Sequence, residues 1–586
     1  MLCERRHLAA TLPAPALSKD SNFAGTTHAM LATAATLGVS PAPAALVPDD
    51  AVGSTSRAHL YAGPPDHGDP PSIALVVADD LGYADAGFTG AGGVAATPHL
   101  DALASAGVRL DRHYVQPICS PTRAALLTGR HVLRYGLQNA VIWPSAAWSL
   151  PKNETLMAEH LRAAGYRTAI LGKWHLGMHA SWALPRARGF DEQLGMYTGT
   201  VDYFRHTTRD GAVDWHYNDS RVETRDNGTY SSVVLGAAAA DFVERNARRK
   251  WFLYLAMQSV HHPLHAPEEC LARYPQLSGE VKARAAMVSA LDDAVGELTA
   301  ALERSGQAER TLVLFLSDNG APYIDAVFDH DEGASSLLDL ELVAVGSRSI
   351  WKGARRPPPG VGSPPHGVAE LGDTGHAAGG GSNYPYSGWK HWVFEGGVRS
   401  AAFVWWAPLN RARGGSSHGG LFHAVDWMPT LVKLAGGSTA TSLPLDGYDV
   451  LPALMQGGAA SPRDEVPVNI AACGPDAHGT RSIIDGPQAA IVVGELKLVV
   501  DCFWRSQRDL TRAQLFNLTA DPAEAHDLAA RRQEDVRRLA ERLAAWEAKA
   551  VDPYELYAID ASCGKGRPQG SPPAWTPWCD GAGPDR

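Results

Sequence analysis

The chain of 586 residues has few cysteines, no excess of basic residues and no long apolar run. Seven cysteines are too few for a disulfide scaffold in a protein of this length. The 52 Lys and Arg residues are outnumbered by 63 Asp and Glu residues, and the net charge of -11 argues against a general nucleic-acid-binding protein, which needs a basic surface. Because no apolar run is long enough to span a bilayer, we expect no membrane-spanning helix.

The composition that remains is typical of a large globular protein. Hydrophobic residues make up 45% of the chain and charged residues 20%, which suffices for a large core and two domains. We expect a leader over residues 1–70, a large domain over 71–437 and a smaller C-terminal domain over 438–586. Residues 1–70 have the composition of a targeting or disordered segment, and a wrongly assigned translation start explains them equally well. Residues 323–381 are rich in Gly, Pro, Ala and His, and indicate a surface-loop insertion or a gene-model error.

Strands alternate with helices through the predicted large domain. Four apolar runs have the continuity of strands buried on both faces, at residues 73–78, 167–171, 251–257 and 311–316. Helical periodicity follows the first run at 97–107, and it recurs between the last two runs at Met287, Leu291, Val295, Leu298 and Leu302. This order predicts an α/β fold with a large mixed, mostly parallel sheet sandwiched by helices. Such sheets bind ligands beyond the carboxyl ends of their strands.

Polar residues stand at the carboxyl ends of all these predicted strands. They are Asp79 and Asp80, Lys173 and His175, His261, and Asp318 and Asn319. Carboxylate and amide oxygens, without a thiol or imidazole cluster at zinc spacing, favour Ca²⁺ or Mg²⁺ over a transition metal. Each residue alone has an ordinary explanation, such as a solvated turn, a surface lysine or a histidine bonded within a loop. Their recurrence at successive strand ends favours a site.

The stretch from Cys119 to Arg130 predicts a short helix. Pro121 suits a first helical position, Ser120 is a candidate cap, and Gly129 can end the helix. Cys119 would then lie at the N-terminal end of the helix, where free N–H groups and the helix dipole stabilise negative charge. A single cysteine before a helix is, however, more often a small packed residue than a nucleophile.

The residues after 437 have a different character. Short apolar segments at 489–493 and 496–500 predict a small antiparallel sheet, with a packed helix whose apolar face carries Val536, Leu539, Leu543 and Trp546. Cys563 and Cys579 are a plausible disulfide pair. Glycosylation triplets that are compatible with a secretory route begin at Asn153, Asn218, Asn227 and Asn517.

The helix stretch also carries a family resemblance. Cys119-Ser-Pro-Thr-Arg123, followed by Leu126-Leu-Thr-Gly129, resembles the signature of the type I sulfatases, in which the cysteine is oxidised to formylglycine. The strand-end blocks resemble sulfatase blocks in the same order, and the likeness covers roughly residues 72–580 apart from the insertion. Segments at 136–144 and 392–399 are most similar to the arylsulfatase B branch, the N-acetylgalactosamine-4-sulfatases. The resemblance implies an alkaline-phosphatase-like fold.

The resemblance implies a sulfuric ester hydrolase that acts on a sulfated carbohydrate or an aryl sulfate. Cys119, as formylglycine, would be the nucleophile and a metal contact, and the other ligands of one Ca²⁺ ion, or of Mg²⁺, would be Asp79, Asp80, Asp318 and Asn319. Arg123, Lys173 and Lys390 would stabilise charge on the sulfuryl group. His175 would orient or deprotonate the hydrated aldehyde, and His261 or Lys390 would protonate the leaving oxygen.

Partners and alternatives follow from the same resemblance. It implies a formylglycine-generating enzyme as maturation partner, and a secreted protein or one in a lysosome-like or vacuole-like compartment. Ser387 stands where the relatives have an arginine, so substrate contacts near it stay open. Two other functions remain: a phosphate or phosphonate monoester hydrolase of the same superfamily, and a catalytically silent polysaccharide-binding descendant.

Overall fold

The computed structural model describes most of the chain beyond the predicted leader. The described residues are 69–221, 226–322, 381–456, 460–471, 487, 489–505, 507–553, 563, 566–570 and 573–580. They belong to one compact unit, His67–Arg586. The predicted leader and the predicted insertion lie outside the described residues, except for residues 69, 70 and 381. The predicted boundary at 437 stays a prediction.

The main sheet has ten strands in the order β10-β2-β9-β8-β1-β7-β3-β4-β5-β6. The strands are β1 Ser72–Ala78, β2 Val108–Tyr114, β3 Arg167–Gly172, β4 Glu192–Gly195, β5 His216–Tyr217, β6 Ser220–Arg221, β7 Trp251–Ala256, β8 Thr311–Ser317, β9 Ala402–Trp405 and β10 Ser416–His423. The central strands β8, β1, β7, β3 and β4 run parallel, and β10 pairs parallel with β2. Strand β9 is antiparallel to both β2 and β8. The predicted mixed, mostly parallel sheet is confirmed.

Several of the helices share an apolar core with this sheet. They are α1 Pro98–Ala106, α2 Cys119–Thr128, α3 Met157–Ala163, α4 Ser231–Arg245, α5 Glu268–Leu271, α6 Gly279–Arg304, α7 Glu395–Val398, α8 Ala407–Arg413, α9 Trp427–Leu434, α10 Leu451–Met455 and α11 Gln533–Glu547. Alternate residues of β1, including Leu75 and Val77, share one core with Leu126 of α2, Leu161 of α3 and Leu431 of α9. The five apolar positions predicted on α6 are all buried. No helix within the described ranges has the length and apolar character needed to cross a membrane.

The pairing register of the central strands aligns their carboxyl ends along one edge of the sheet. Val77 of β1 pairs with Ala256 of β7, Ala78 pairs with Ser317 of β8, and Gly172 of β3 pairs with Ala256. These strands are parallel and buried on both faces, which is why each appears in the sequence as a continuous apolar run. The residues that follow them therefore meet at one edge.

The C-terminal region forms a second sheet of four antiparallel strands in the order β11-β12-β13-β16. Its strands are β11 Glu465–Ile470, β12 Ala489–Val493, β13 Leu496–Val500 and β16 Gln514–Asn517, while β14 Cys502–Trp504 and β15 Gln507–Asp509 form a separate hairpin. Helix α11 packs on the four-stranded sheet, since Leu539 and Leu543 share a core with Ile491, Leu498 and Leu515. The predicted antiparallel sheet with a packed helix is confirmed. Cys563 and Cys579 form a disulfide, as predicted.

Candidate active site

Helix α2 begins at Cys119, two residues earlier than Pro121 suggested. Ile118 is the N-cap and contributes no side-chain bond, so the predicted capping role of Ser120 is wrong. The Ser120 hydroxyl instead donates to the carbonyl of His175 (2.9 Å) and accepts from the N–H of Ile142 (3.1 Å). Ser120 therefore fixes the first turn of α2 against the loop that follows β3. Gly129 ends the helix with φ 68°, as predicted.

The strand ends bring together two predicted metal ligands, the predicted nucleophile and a predicted proton carrier. One ligand atom from each of Asp79, Asp80, Cys119 and His261 lies within 4.8 Å of the other three, and all four side chains are buried. Asp79 and Asp80 follow β1, and His261 follows β7, its parallel neighbour. Cys119 reaches the same point from the first turn of α2. His261 was predicted as a catalytic group, and its place among the potential ligands is an addition from the structure.

Asp318 and Asn319 join this group through hydrogen bonds to Asp80. The Asp80 N–H donates to Oδ1 of Asp318 (3.2 Å), and Nδ2 of Asn319 donates to Oδ1 of Asp80 (2.7 Å). Oδ1 of Asp79 and Oδ1 of Asn319 are buried and accept no hydrogen bond. A buried acceptor without a partner costs about 1–3 kcal/mol, so these two oxygens require a ligand that the protein alone does not provide. Their chemistry fits a hard divalent cation.

Three buried cations face the three carboxylates. Lys173 Nζ lies 2.6 Å from Asp79 Oδ2, Arg123 Nη2 lies 2.7 Å from Asp318 Oδ2, and Lys390 Nζ lies 2.8 Å from the Asp80 carboxylate. In each of these three pairs the positive charge of the cation balances the negative charge of the carboxylate. A divalent metal ion would therefore add two uncompensated positive charges to a buried site. The site therefore favours binding a cation together with an anionic group.

Burial and charge set the protonation of the site. Burial alone would raise the pKa of Asp80, but the charges of Lys390 and Lys173 outweigh it and hold this pKa well below its usual value. Burial raises the pKa of the Cys119 thiol to about 11, although Lys173 and Lys390 oppose the change. Cys119 is thus a protonated thiol at neutral pH and a poor nucleophile until it is modified.

Both predicted site histidines are neutral, and a backbone carbonyl orients the ring of His261. Burial, reinforced by Lys390 for His261 and by Lys173 for His175, lowers both pKa values well below the usual one. Nδ1 of His261 lies 2.9 Å from the His262 carbonyl and must carry the ring hydrogen, so its Nε2, 3.7 Å from Asp80 Oδ2, presents a lone pair. Nδ1 of His175 is buried and has no partner.

The loop that supports these histidines was not predicted from the sequence. The hydroxyl of Tyr203 donates to the carbonyl of His261 (2.7 Å), and the hydroxyl of Thr200 donates to that of His262 (2.7 Å). Gly199 lies against the His175 ring, where a Cβ would come within 2.8 Å of Cε1. Ser387 is buried, and its hydroxyl donates to the carbonyl of Ala523.

A parallel sheet whose strand ends carry an oxygen-rich group of potential cation ligands, faced by buried lysines and an arginine, is the arrangement expected of a metal-dependent hydrolase of anionic esters. The chain belongs to the sulfatase family: residues 71–438 match the family model described as Sulfatase. It is therefore a sulfuric ester hydrolase of a family in which a metal ion and a formylglycine are typical.

Individual relatives agree with this assignment. The chain is 31% identical to arylsulfatase J of Mus musculus over 542 residues, which cover 87% of the chain and 80% of the relative. It is 30% identical to N-acetylgalactosamine-6-sulfatase of Mus musculus, with 68% of each covered. The solved structure of Ps i-CgsB in complex with k-i-k-neocarrahexaose has 26% identity and a TM-score of 0.64, and covers 83% of this chain and 94% of that one. The predicted sulfatase family is confirmed, whereas the narrower arylsulfatase B branch is not.

Proposed function

We propose that the protein removes sulfate from a sulfated saccharide and that Cys119, converted to formylglycine, provides the nucleophile. One observation carries the proposal: Cys119 is the first residue of α2 and lies within 4.8 Å of ligand atoms of Asp79, Asp80 and His261. The substrate class is supported by a relative named for a sulfated sugar, N-acetylgalactosamine-6-sulfatase, and by the solved structure of Ps i-CgsB in complex with k-i-k-neocarrahexaose.

Asp79, Asp80, Asp318 and Asn319 would hold the cation, with residue 119 as a further contact. An all-oxygen set suits Ca²⁺ first and Mg²⁺ second. The bound ion would supply a Lewis acid that lowers the pKa of a nearby hydroxyl and neutralises the sulfuryl oxygens. The hydrated aldehyde of residue 119 would supply two hydroxyls, one to form the bond to sulfur as the ester S–O bond breaks, and one to release the sulfate when it loses its proton.

The side chains around residue 119 have distinct roles in the proposal. Lys390 donates a proton to the departing saccharide oxygen, because its ammonium group carries protons while Nε2 of His261 presents only a lone pair. His175 accepts the proton of the second hydroxyl, since its Nδ1 is neutral and unpartnered and its backbone is bonded to Ser120 beside Cys119. Lys173 and Arg123 hold Asp79 and Asp318 in place and offset charge on the sulfuryl oxygens.

The finer substrate we propose is a terminal 4-sulfated N-acetylgalactosamine, which the arylsulfatase B resemblance favours. A panel of sulfated saccharides that includes the 6-sulfated isomer tests it, since one relative is named for that isomer.

Passage through the secretory pathway, with a formylglycine-generating enzyme as partner, belongs to the same proposal. Asn153 and Asn227, two of the glycosylation triplets, are exposed and open to modification.

Mass spectrometry of the Cys119 peptide tests the nucleophile directly. We expect an aldehyde in place of the thiol when the protein is made with a competent maturation system, and no desulfation by Cys119→Ala. Cys270→Ala is the matched control, because Cys270 is the other buried cysteine of the described residues that forms no disulfide, and this variant should keep its activity. Desulfation by Cys119→Ala would overturn the proposal. Faster cleavage of the matching phosphate ester than of the sulfate ester would instead favour the phosphatase alternative.

A further inference from the structure

We propose that the folded chain, as long as Cys119 remains a thiol, binds Zn²⁺ through Cys119, His261, Asp79 and Asp80. This site differs in chemistry from the oxygen site proposed for the mature enzyme, because sulfur and nitrogen replace two of the hard donors. It requires only the unconverted cysteine, so it stands or falls separately from the proposed sulfatase mechanism.

The geometry is close to that of a four-coordinate zinc site. Zinc bonds of about 2.0–2.3 Å in a tetrahedron place neighbouring ligand atoms roughly 3.3–3.8 Å apart. The four ligand atoms already lie within 4.8 Å of one another, so an inward shift of about an ångström completes the site. They come from the residues that follow β1 and β7 and from the first turn of α2, and all four side chains are buried.

Two of the four ligands, His261 and Asp79, have a buried acceptor atom that is available to bind a cation. His261 uses Nδ1–H for the His262 carbonyl, which leaves the lone pair of Nε2 directed towards Asp80. A backbone carbonyl that binds the second nitrogen is the usual support of a zinc-bound histidine. Asp79 is fully buried, and its Oδ1 accepts no hydrogen bond while Lys173 occupies Oδ2. Asp80 would share its carboxylate between the zinc ion and Lys390.

Charge balance favours zinc in the thiol form. When the ion binds, the Cys119 S–H bond breaks, the proton leaves for solvent and a sulfur–zinc bond forms. The thiolate offsets one of the two positive charges that the ion brings to a site whose carboxylates are already balanced by Arg123, Lys173 and Lys390. Conversion to formylglycine removes the sulfur, and a borderline-soft metal then loses the ligand that distinguishes the site from a calcium site.

Cobalt substitution gives a readout that does not depend on activity. The full chain is made in a host without a maturation enzyme, its thiol at position 119 is confirmed by mass, and it is titrated with Co²⁺ and then with Zn²⁺. We expect a thiolate-to-cobalt charge-transfer band that Zn²⁺ abolishes. The band should be absent in Cys119→Ser and in the converted protein, and His261→Gln should weaken cobalt binding at least tenfold.

Cys270→Ser is the matched control. The Cys270 thiol lies 4.0 Å from Asp293, which belongs with His99 and Asp292 to a second group of potential ligands, so the control tests whether the band arises there. It should retain the full band. A band that is missing from the unconverted chain, that survives in Cys119→Ser or that disappears in Cys270→Ser would overturn the proposal. Circular dichroism of the metal-free variants confirms that each is folded.

Discussion

Nζ of Lys173 lies 2.6 Å from Oδ2 of Asp79, and both side chains are fully buried. Removal of one partner from such a pair leaves an uncompensated charge in the interior, which costs about 3–5 kcal/mol. We predict that Lys173→Met lowers the free energy of unfolding by about that amount and lowers kcat/KM at least a hundredfold, measured by urea denaturation and by saccharide desulfation. Arg411→Gln, which breaks a pair with Glu309 at 66% and 81% exposure, is the control and should change neither quantity appreciably. Equal stability of the two variants would contradict the prediction.

Gly199 positions the ring of His175. A Cβ at residue 199 would lie 2.8 Å from Cε1 and 2.9 Å from Nε2 of that ring, so alanine must displace the imidazole. We predict that Gly199→Ala lowers kcat by about ten- to a hundredfold with little change in KM, because a displacement of about an ångström suffices to misalign a base. Gly419→Ala, where a Cβ meets nothing within 4 Å, should keep the wild-type rate. Unchanged kcat in Gly199→Ala would show that His175 is not held by this contact.

The proton donor can be identified from the leaving group. If Lys390 protonates the departing oxygen, Lys390→Met should lose most activity on a sugar sulfate, whose alcohol is a poor leaving group, and much less on 4-nitrophenyl sulfate. His261→Gln should reduce both rates by similar factors. We measure kcat/KM of both variants on both substrates. The reverse pattern would assign the proton to His261.

His131 makes stability depend on pH. Burial lowers its pKa from 6.5 to about 3 in the folded protein, although Asp446 opposes the change. Between these two pH values the unfolded chain binds a proton that the folded chain does not, so stability falls as the pH falls from 6.5 towards 3, by about 1.4 kcal/mol per pH unit.

We therefore predict that His131→Phe reduces the loss of unfolding free energy between pH 7 and pH 5 by about 2 kcal/mol. Phenylalanine retains the ring contacts with His423 and Trp546, whose centroids lie 4.6 and 5.0 Å away. Denaturant titrations at both pH values measure the effect. His526→Gln is the control, because His526 is 83% exposed and its loss should leave the pH dependence unchanged. A wild-type pH dependence in His131→Phe would refute the buried neutral state.

The strand-end site was predictable because its signal is local. A strand buried on both faces is a continuous apolar run, and the polar residue that ends it is visible in the sequence, as with Val77 before Asp79 and Leu316 before Asp318. Parallel pairing then forces these ends together. The Cys119 helix was found for the same reason, although Ser120 was assigned to the wrong partner because its acceptor, His175, lies 55 residues away.

Contacts between segments that are distant in the chain leave no local pattern in the sequence, so they were not predicted. Lys497 of β13 bridges Glu395 and Glu524 at 2.9 Å each, and all three side chains are fully buried. The segment that carries Lys390 to the site is thereby attached to the C-terminal sheet. Nothing in the sequence around Lys497 distinguishes it from a surface lysine, because its partners are 102 residues before it and in a separate loop after it. The predicted domain boundary at residue 437 therefore did not indicate that the Lys390 segment is attached to the C-terminal sheet.

Only 2% of the Cys119 surface is accessible once α2 has packed between the strand ends. Under the proposed conversion, an oxidising enzyme would have no access to a thiol in that position, so the interval available for conversion would close when the sheet and α2 assemble. On that proposal, conditions that slow assembly relative to translation should raise the share of molecules that carry the aldehyde, and molecules that assemble first would stay inactive however long they persist.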